Sequence, residues 1–389
     1  MPLPPPPAMR EARRSARVMV IGGFAESLIN FRGPLLRRLI ADGHSVVACA
    51  PDASLELQAR LSTLGIGYRH VPIQRAGMNP LRDVATVRAL VDVYRDVRPD
   101  LVLSYTIKPV IYGSIAARIA GVPRVCSMVT GLGYSFGTAT WKQRALNPVV
   151  RGLFRAALSK NEVVFFQNPD DMELFVERKL ATERQAVLVN GSGVDLQHYG
   201  VAPLPNGAPS FLLITRLLWE KGVGEYVAAA RQLKTRWPNA TFRLLGPLDP
   251  NPTAISRAQL DAWCAEGVVE YLGSTSDVRP AMAAASVFVL PSAYREGTPR
   301  TVLEAMAMGR PVITTDAPGC RETVARGENG FLVPVNDASA LADAMEQFLR
   351  DPKLVPAMGA RSRRMAEEKY DVHLVNGVMV RAMGLESAA

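Results

Sequence analysis

Short, unbroken apolar runs separated by helix-length amphipathic stretches recur along this chain of 389 residues, and that alternation limits its fold more than any other feature. Val287-Phe-Val-Leu290 is typical: β-branched and aromatic residues in a row, without period-two alternation, then Pro291. A strand of that composition is covered on both faces. Comparable runs stand at Arg17–Gly23, Ser45–Ala50, 68–73, 101–105, 124–129 and Asn161–Gln167. They resume at Phe211–Thr215, Thr241–Leu245, Val269–Leu272, Pro311–Thr314 and Gly330–Pro334. Helical patterns lie between them, for example at 80–96, 111–120, 143–159, 225–236 and 338–350. Strands alternating with helices of this length make βαβ units and a parallel sheet. A chain this long exceeds one ordinary core, and the pattern runs twice. The expected architecture is therefore α/β: two doubly wound parallel-sheet domains in tandem, over 17–200 and 207–370. Tyr199–Pro209, full of helix and strand breakers, reads as the linker. Residues 1–16 read as a disordered proline-rich tail, and 371–389 as a helix returning to the first domain. Ligands of such sheets sit beyond the carboxyl ends of the strands, which makes the crevice between the domains the expected site.

Charge bears on the partner. Forty-five Lys and Arg against 36 Asp and Glu give a net charge of +9, which favours an anionic partner: a sugar nucleotide, an anionic lipid head group or a nucleic acid. The basic residues are scattered and aromatic residues make up only 7%, so nucleic acid is not expected. Cys49, Cys126, Cys264 and Cys320 form no C-x-x-C pair and read as free thiols in a reducing compartment. No stretch reaches the 18 or so apolar residues of a membrane span, and the amino terminus lacks a signal-peptide core. A cytoplasmic protein with at most peripheral membrane contact is expected.

The most informative stretch is 286–309. After the strand comes a polar loop with Glu296 and Gly297, then a helix start with Thr298 suited to the N-cap, Pro299 to the first helical position and Gly309 to the stop. The free N–H groups of that helix would face an anion at the carboxyl edge of the sheet. Arg216 and Lys221 follow the strand Phe211–Thr215 on the same edge. Glu304 has two readings: an ordinary i,i+4 ion pair with Arg300, or a ligand-binding carboxylate in a narrow polar stripe between Val302, Leu303, Ala305 and Met306. In the first domain, Gly22-Gly23 begins the loop after the first strand, and Asn30 and Arg32 lie farther along it. The glycines permit close approach of a sugar or diphosphate, or form only a tight turn; the later glycines of the dinucleotide fingerprint are absent. Two further strand ends carry polar residues, Tyr105-Thr-Ile-Lys108-Pro-Val-Ile-Tyr112 and Thr130-Gly-Leu-Gly.

Glu296-Gly-Thr-Pro-Arg-Thr-Val-Leu-Glu304, followed by Ala-Met-Ala-Met-Gly-Arg-Pro-Val-Ile, resembles the signature of glycosyltransferase family 4. Thr215-Arg216-Leu-Leu-Trp-Glu-Lys221-Gly, Tyr271-Leu-Gly273, Gly191-Ser-Gly-Val-Asp195 and Gly330-Phe-Leu-Val-Pro334 support the likeness, which runs from about residue 17 to 370. The resemblance implies a retaining enzyme of GT-B fold, with a Rossmann-like acceptor domain first and a Rossmann-like nucleotide-sugar domain second. It further implies a nucleoside-diphosphate sugar donor, with UDP favoured and a hexose or N-acetylhexosamine transferred. Glu296, Arg216 and Lys221 would carry the chemistry, the two cations stabilising the departing diphosphate. Gly23, Gly273, Gly297, Thr298, Thr301 and Glu304 would bind the donor, Glu304 through its ribose. Ser27-Leu-Ile-Asn-Phe-Arg32 and the two polar strand ends look like the branch acting on polyprenyl-diphosphate-linked sugars, so Asn30, Arg32, Lys108, Tyr112 and Thr130 are expected at the acceptor. The family's cleft histidine is missing: His44, His70, His198 and His373 lie elsewhere and read as structural. No Asp-x-Asp occurs, so neither metal nor other cofactor is expected. Trp141–Lys160, with five cations and no acid, suits an anionic membrane surface or equally a core-facing helix with a solvated basic face. The alternatives are a nucleotide-sugar epimerase of the same fold and a glycosyltransferase with a soluble acceptor.

Overall fold

A computed structural model describes residues 15–74, 79–132, 141–251 and 253–386, with 141–146 as backbone alone. The expected tail falls largely outside the described residues. The chain forms two compact units: residues up to Ser192 together with those from His373 onward, and Gly193–Val372.

The first unit is built on seven strands: β1 (Arg17–Ile21), β2 (Ser45–Ala50), β3 (Gly67–His70), β4 (Leu101–Tyr105), β5 (Arg124–Val129), β6 (Val163–Phe166) and β7 (Ala186–Leu188), in the order β3-β2-β1-β4-β5-β6-β7. The second has six: β8 (Ser210–Ile214), β9 (Thr241–Leu245), β10 (Glu270–Tyr271), β11 (Val287–Leu290), β12 (Val312–Thr315) and β13 (Gly330–Val333), in the order β10-β9-β8-β11-β12-β13. All pairings in both sheets are parallel. β4, β8 and β11 are buried at every residue, as their uninterrupted apolar composition requires when helices cover both faces. Each sheet reverses its winding once, between β1 and β4 and between β8 and β11. These are the switch points where ligands of doubly wound sheets bind.

Periodicity passed over three elements. The loop after β1 contains a short helix, Glu26–Asn30. A second helix, Pro169–Glu177, is capped by Asn168, whose side chain accepts from the Asp171 amide, with Pro169 in its first turn. Those capping signals stand in the sequence. β7 has only three residues, too few to show a period.

The breaker-rich stretch 199–209 lies inside the second unit, and the chain changes unit between Ser192 and Gly193. Arg310, 1% exposed, donates to the carbonyls of Ala202 (2.7 Å) and Pro203 (2.8 Å) and so fastens that stretch to the unit. The outgoing and returning segments pair: the Val194 amide donates to the Tyr370 carbonyl at 2.8 Å, and the Val372 amide to that of Val194 at 3.0 Å. Beyond Val372 the last helix, Val372–Ala382, places Val375, Met379 and Val380 in the core of the first unit with Val18, Leu36 and Leu39. His44 secures that end, Nε2 lying 2.8 Å from the Leu385 carbonyl while Nδ1 accepts from the Ala16 amide at 3.2 Å.

Candidate active site

At the switch point of the second sheet, β8 leads through Thr215 and Arg216 to a tight turn, Trp219–Lys221, and then the helix Val223–Lys234. β11 leads through the Glu296 loop to the helix Arg300–Ala307. The two loops are laced by backbone: the amides of Ala293 and Tyr294 both donate to the Glu220 carbonyl at 3.0 Å. Gly222 (φ +76°) makes this approach possible, because a Cβ there would stand 2.0 Å from the Pro291 carbonyl oxygen. The result joins two of the expected catalytic residues. The Lys221 ammonium pairs with Glu296 Oε1, which also accepts from the Ser292 hydroxyl at 3.1 Å. Lys221 Nζ further lies 4.6 Å from the centre of the Tyr294 ring, a favourable cation–π distance. Both charged side chains are largely enclosed, at 11% and 14% exposure.

Arg216 is held differently. Its Nη1 is 2.9 Å from Asp249 Oδ2, in the loop after β9. Asp249 carries no sequence signal of its own, standing 33 residues away; the adjacency of β8 and β9 brings it there. Gly273 follows β10 and its carbonyl accepts from the Gly246 amide at 2.8 Å. Gly297 and Thr298 are buried in the loop before the helix. That helix begins one residue later than expected, with Pro299 at the N-cap in an extended conformation (ψ 117°), so Thr298 lies just outside it and the N-cap residue itself offers no side-chain hydrogen bond. Thr301 is in its first turn, partly exposed.

Glu304 makes the i,i+4 pair, with Oε1 2.6 Å from Arg300 Nε, and the Tyr199 hydroxyl also bonds it. It is 4% exposed. Burial pushes its carboxyl above the ordinary value, and Arg300 and Tyr199 oppose that rise. Buried Cys320 has its thiol pushed up to about 12 by desolvation, so it stays protonated and unreactive at neutral pH.

In the first unit the space over the glycine pair is taken by the chain itself. A Cβ on Gly22 would lie 2.2 Å from the Tyr105 hydroxyl, and one on Gly23 2.8 Å from Thr106 Oγ1. Tyr105 is fixed by Ser27, hydroxyl to hydroxyl at 2.6 Å. Asn30 is exposed at the end of its short helix. Arg32 is 2% exposed, its Nη2 2.7 Å from Met128 Sδ and its guanidinium 5.1 Å from the Tyr105 ring centre. Lys108 Nζ lies 3.1 Å from Asp83 Oδ1 and 6.0 Å from the Tyr112 ring centre. Asp83 also bonds the Tyr112 hydroxyl, whose pKa is raised, chiefly by burial. Thr130 follows β5 and is partly exposed. Thr106, between β4 and the helix Ile107–Ala120, has φ +70°, strained for a β-branched residue.

Residues 208–351 match the family model described as Glycosyl transferases group 1, and residues 32–191 match the one described as Glycosyl transferase 4-like domain. The chain belongs to these glycosyltransferases. This glycosyltransferase is 27% identical over 351 residues to the N,N'-diacetylbacillosaminyl-diphospho-undecaprenol alpha-1,3-N-acetylgalactosaminyltransferase of Campylobacter jejuni, covering 87% of this chain and 90% of that protein. It is 25% identical over 316 residues to the UDP-Gal:alpha-D-GlcNAc-diphosphoundecaprenol alpha-1,3-galactosyltransferase of Escherichia coli, covering 78% of this chain and 79% of that one. Its fold is GT-B. The sucrose-phosphate synthase of Thermosynechococcus elongatus superposes with a TM-score of 0.78 at 20% identity, covering 94% of this chain and 98% of that one. The enzyme is a hexosyltransferase. Among the described residues no group of three or more His, Cys, Asp or Glu side chains is arranged to hold a metal ion. No helix among them is long and apolar enough to cross a membrane.

Proposed function

We propose that this glycosyltransferase moves a hexose or N-acetylhexosamine, with retention of configuration, from a UDP-sugar to a polyprenyl-diphosphate-linked glycan in the assembly of a bacterial surface polysaccharide. The observation that carries the donor half is the Lys221–Glu296 pair, with Arg216, at the switch point of the second sheet. A nucleoside diphosphate leaves as a stable anion, so its departure needs positive charge more than a general acid. Lys221, Arg216 and the positive end of the Arg300–Ala307 helix dipole supply that charge from fixed positions, with little reorganisation during reaction. Glu296, oriented by Lys221 and Ser292, takes a hydroxyl of the donor sugar. Glu304 takes the ribose hydroxyls, while Gly273, Gly297, Thr298 and Thr301 border the donor. A departing phosphate oxygen accepts the proton of the acceptor hydroxyl, so this step requires neither histidine nor metal. The two relatives named for transfer to diphosphoundecaprenol-linked sugars support the acceptor class, with Asn30, Lys108, Tyr112 and Thr130 on the acceptor side and Arg32 bracing Tyr105.

We place the enzyme on the cytoplasmic face of the membrane as a peripheral protein. In the helix Trp141–Leu158 the apolar side chains of Val150, Phe154, Ala157 and Leu158 are already buried in the core. Contact with anionic lipid then draws on the basic residues of this helix, and salt should weaken it.

The test is a donor screen by ligand-induced thermal shift, then incubation of the best donor with polyprenyl-diphosphate sugars. Transfer with retention, unaffected by a chelator, is expected. Conversion of the donor sugar without any acceptor would instead establish an epimerase.

A further inference from the structure

Lys221 stands at the switch point of the second sheet on a flexible four-carbon stem, which has much rotamer freedom to lose when it is held in one direction. Its backbone is fixed on both sides. The Glu220 carbonyl accepts from the amides of Ala293 and Tyr294 at 3.0 Å, and Gly222 lies against Pro291. The Tyr294 amide also donates to the Ser292 hydroxyl oxygen at 3.2 Å. Ser292 is fully buried, and its own carbonyl accepts from the Thr315 hydroxyl at 2.5 Å. Tyr294 and Lys221, far apart in sequence, therefore share one rigid frame.

What remains free is the side chain, and two groups hold its end: the Glu296 carboxylate and the Tyr294 ring, 4.6 Å from the ammonium at its centre. They act differently. Glu296 takes one of the three N–H donors of the ammonium and brings a negative charge that offsets the cation. It also accepts from Ser292, so a sugar hydroxyl arriving there must share the carboxylate with Lys221. The half-buried ring attracts the cation through its face. It carries no net charge and claims no directed hydrogen bond, which leaves N–H donors for a phosphate. Among the described residues no hydrogen bond holds the Tyr294 hydroxyl, so what this side chain gives Lys221 is its ring.

We infer that Tyr294 is a positioning residue for the transfer. Its ring keeps the Lys221 ammonium in place while Glu296 engages the donor sugar, so the cation meets the departing diphosphate already oriented and with its charge intact. The inference rests on the glycosyltransfer reading above and deepens it. Tyr294 acts through Lys221 and takes no part in bond making.

The test uses the full-length protein, UDP, and the UDP-sugar and prenyl-diphosphate sugar that serve it best. Tyr294→Leu removes the aromatic face and keeps an apolar side chain. Its kcat should fall about tenfold and its dissociation constant for UDP should rise about fivefold, while the acceptor KM moves less than twofold. Tyr294→Phe, which retains the ring, should bring both quantities back to within about twofold of the parent. Coupling to Lys221 decides the matter: in a Lys221→Ala background, Tyr294→Leu should weaken UDP by less than a further twofold. If Tyr294→Leu lowers the unfolding midpoint by more than about 5 °C, Tyr294→Met takes the same measurements, its side chain being apolar and adaptable. A leucine or methionine variant within twofold of the parent in both kcat and UDP affinity overturns the inference alone. So does a phenylalanine variant as impaired as the leucine one, because the hydroxyl would then be what matters. An undiminished fivefold loss in the Lys221→Ala background also overturns it, since the ring would act without the ammonium. Absence of transfer by the unaltered enzyme with every donor and acceptor overturns the glycosyltransfer reading, and the inference with it.

Discussion

Lys221 and Glu296, 75 residues apart in sequence, form an enclosed ion pair where the second sheet reverses its winding. In the proposed reaction each would orient the other toward a different part of the donor, the ammonium toward a diphosphate and the carboxylate toward a sugar hydroxyl. Glu296→Gln keeps the shape and a hydrogen-bonding oxygen but removes the charge that opposes Lys221. Transfer should fall by roughly 10²- to 10³-fold, while UDP affinity holds or improves. Lys221→Ala should do the reverse, weakening UDP by about tenfold or more. Steady-state kinetics and titration calorimetry separate the two effects; full turnover in Glu296→Gln would remove the carboxylate from the mechanism.

Asp249 positions Arg216 and also neutralises it. Asp249→Asn should therefore leave UDP binding unchanged or tighter, because the site gains net positive charge, yet slow transfer by about tenfold as the guanidinium loses its orientation. The informative pair is kcat against the dissociation constant of UDP. Weaker UDP binding with unchanged kcat would contradict a positioning role.

Glu304 ties stability to pH. Its folded-state pKa is raised above the ordinary 4.5, mainly by burial. The folded chain therefore holds this proton to higher pH than the unfolded chain, so the stability it contributes is complete below about pH 4.5 and is lost as pH rises through the raised value. Glu304→Gln resembles the protonated acid and lacks that loss. The melting temperature of the variant relative to the parent should rise as pH is raised above about 4.5. A difference independent of pH would show the carboxyl is not perturbed.

Arg310 is a structural lock. Its guanidinium donates to five carbonyls, those of Met282, Ala283, Ala202, Pro203 and Met308, at 2.7–3.1 Å. Arg310→Met would leave most of them without a donor, at about 1–3 kcal/mol for each that stays buried. A net loss of at least about 3 kcal/mol is expected, or roughly 10 °C in the unfolding midpoint. Arg310→Lys should recover part of it. A change of less than about 1 °C in the methionine variant would show that water replaces the guanidinium.

Local chemistry and tertiary arrangement divided this protein between them. Uninterrupted apolar strands, alternating helices and stop signals such as Gly309 are local, and hydrophobic patterning acts over a few residues, so the doubly wound sheets were legible in the linear chain. So were Glu296, Arg216 and Lys221 as residues of one sheet edge, since every strand of a parallel sheet ends on the same side. The Asp249–Arg216 pair was not, because it depends on β9 lying beside β8. The stretch 199–209 looks like a linker by composition, yet a side chain about a hundred residues downstream satisfies its carbonyls and makes it part of a core. The glycine pair at 22–23 reads as room for a ligand, but Tyr105 and Thr106 stand where side chains on the pair would go, so the absence of side chains there serves close packing. The sequence by itself determined most of the elements, their parallel sense and the charged residues at one edge of the second sheet. Only the tertiary structure decided which charges meet, which polar groups are spent inside the fold, and that the Tyr294 ring lies against the Lys221 ammonium, because such contacts follow from strand order and close packing rather than from neighbouring residues.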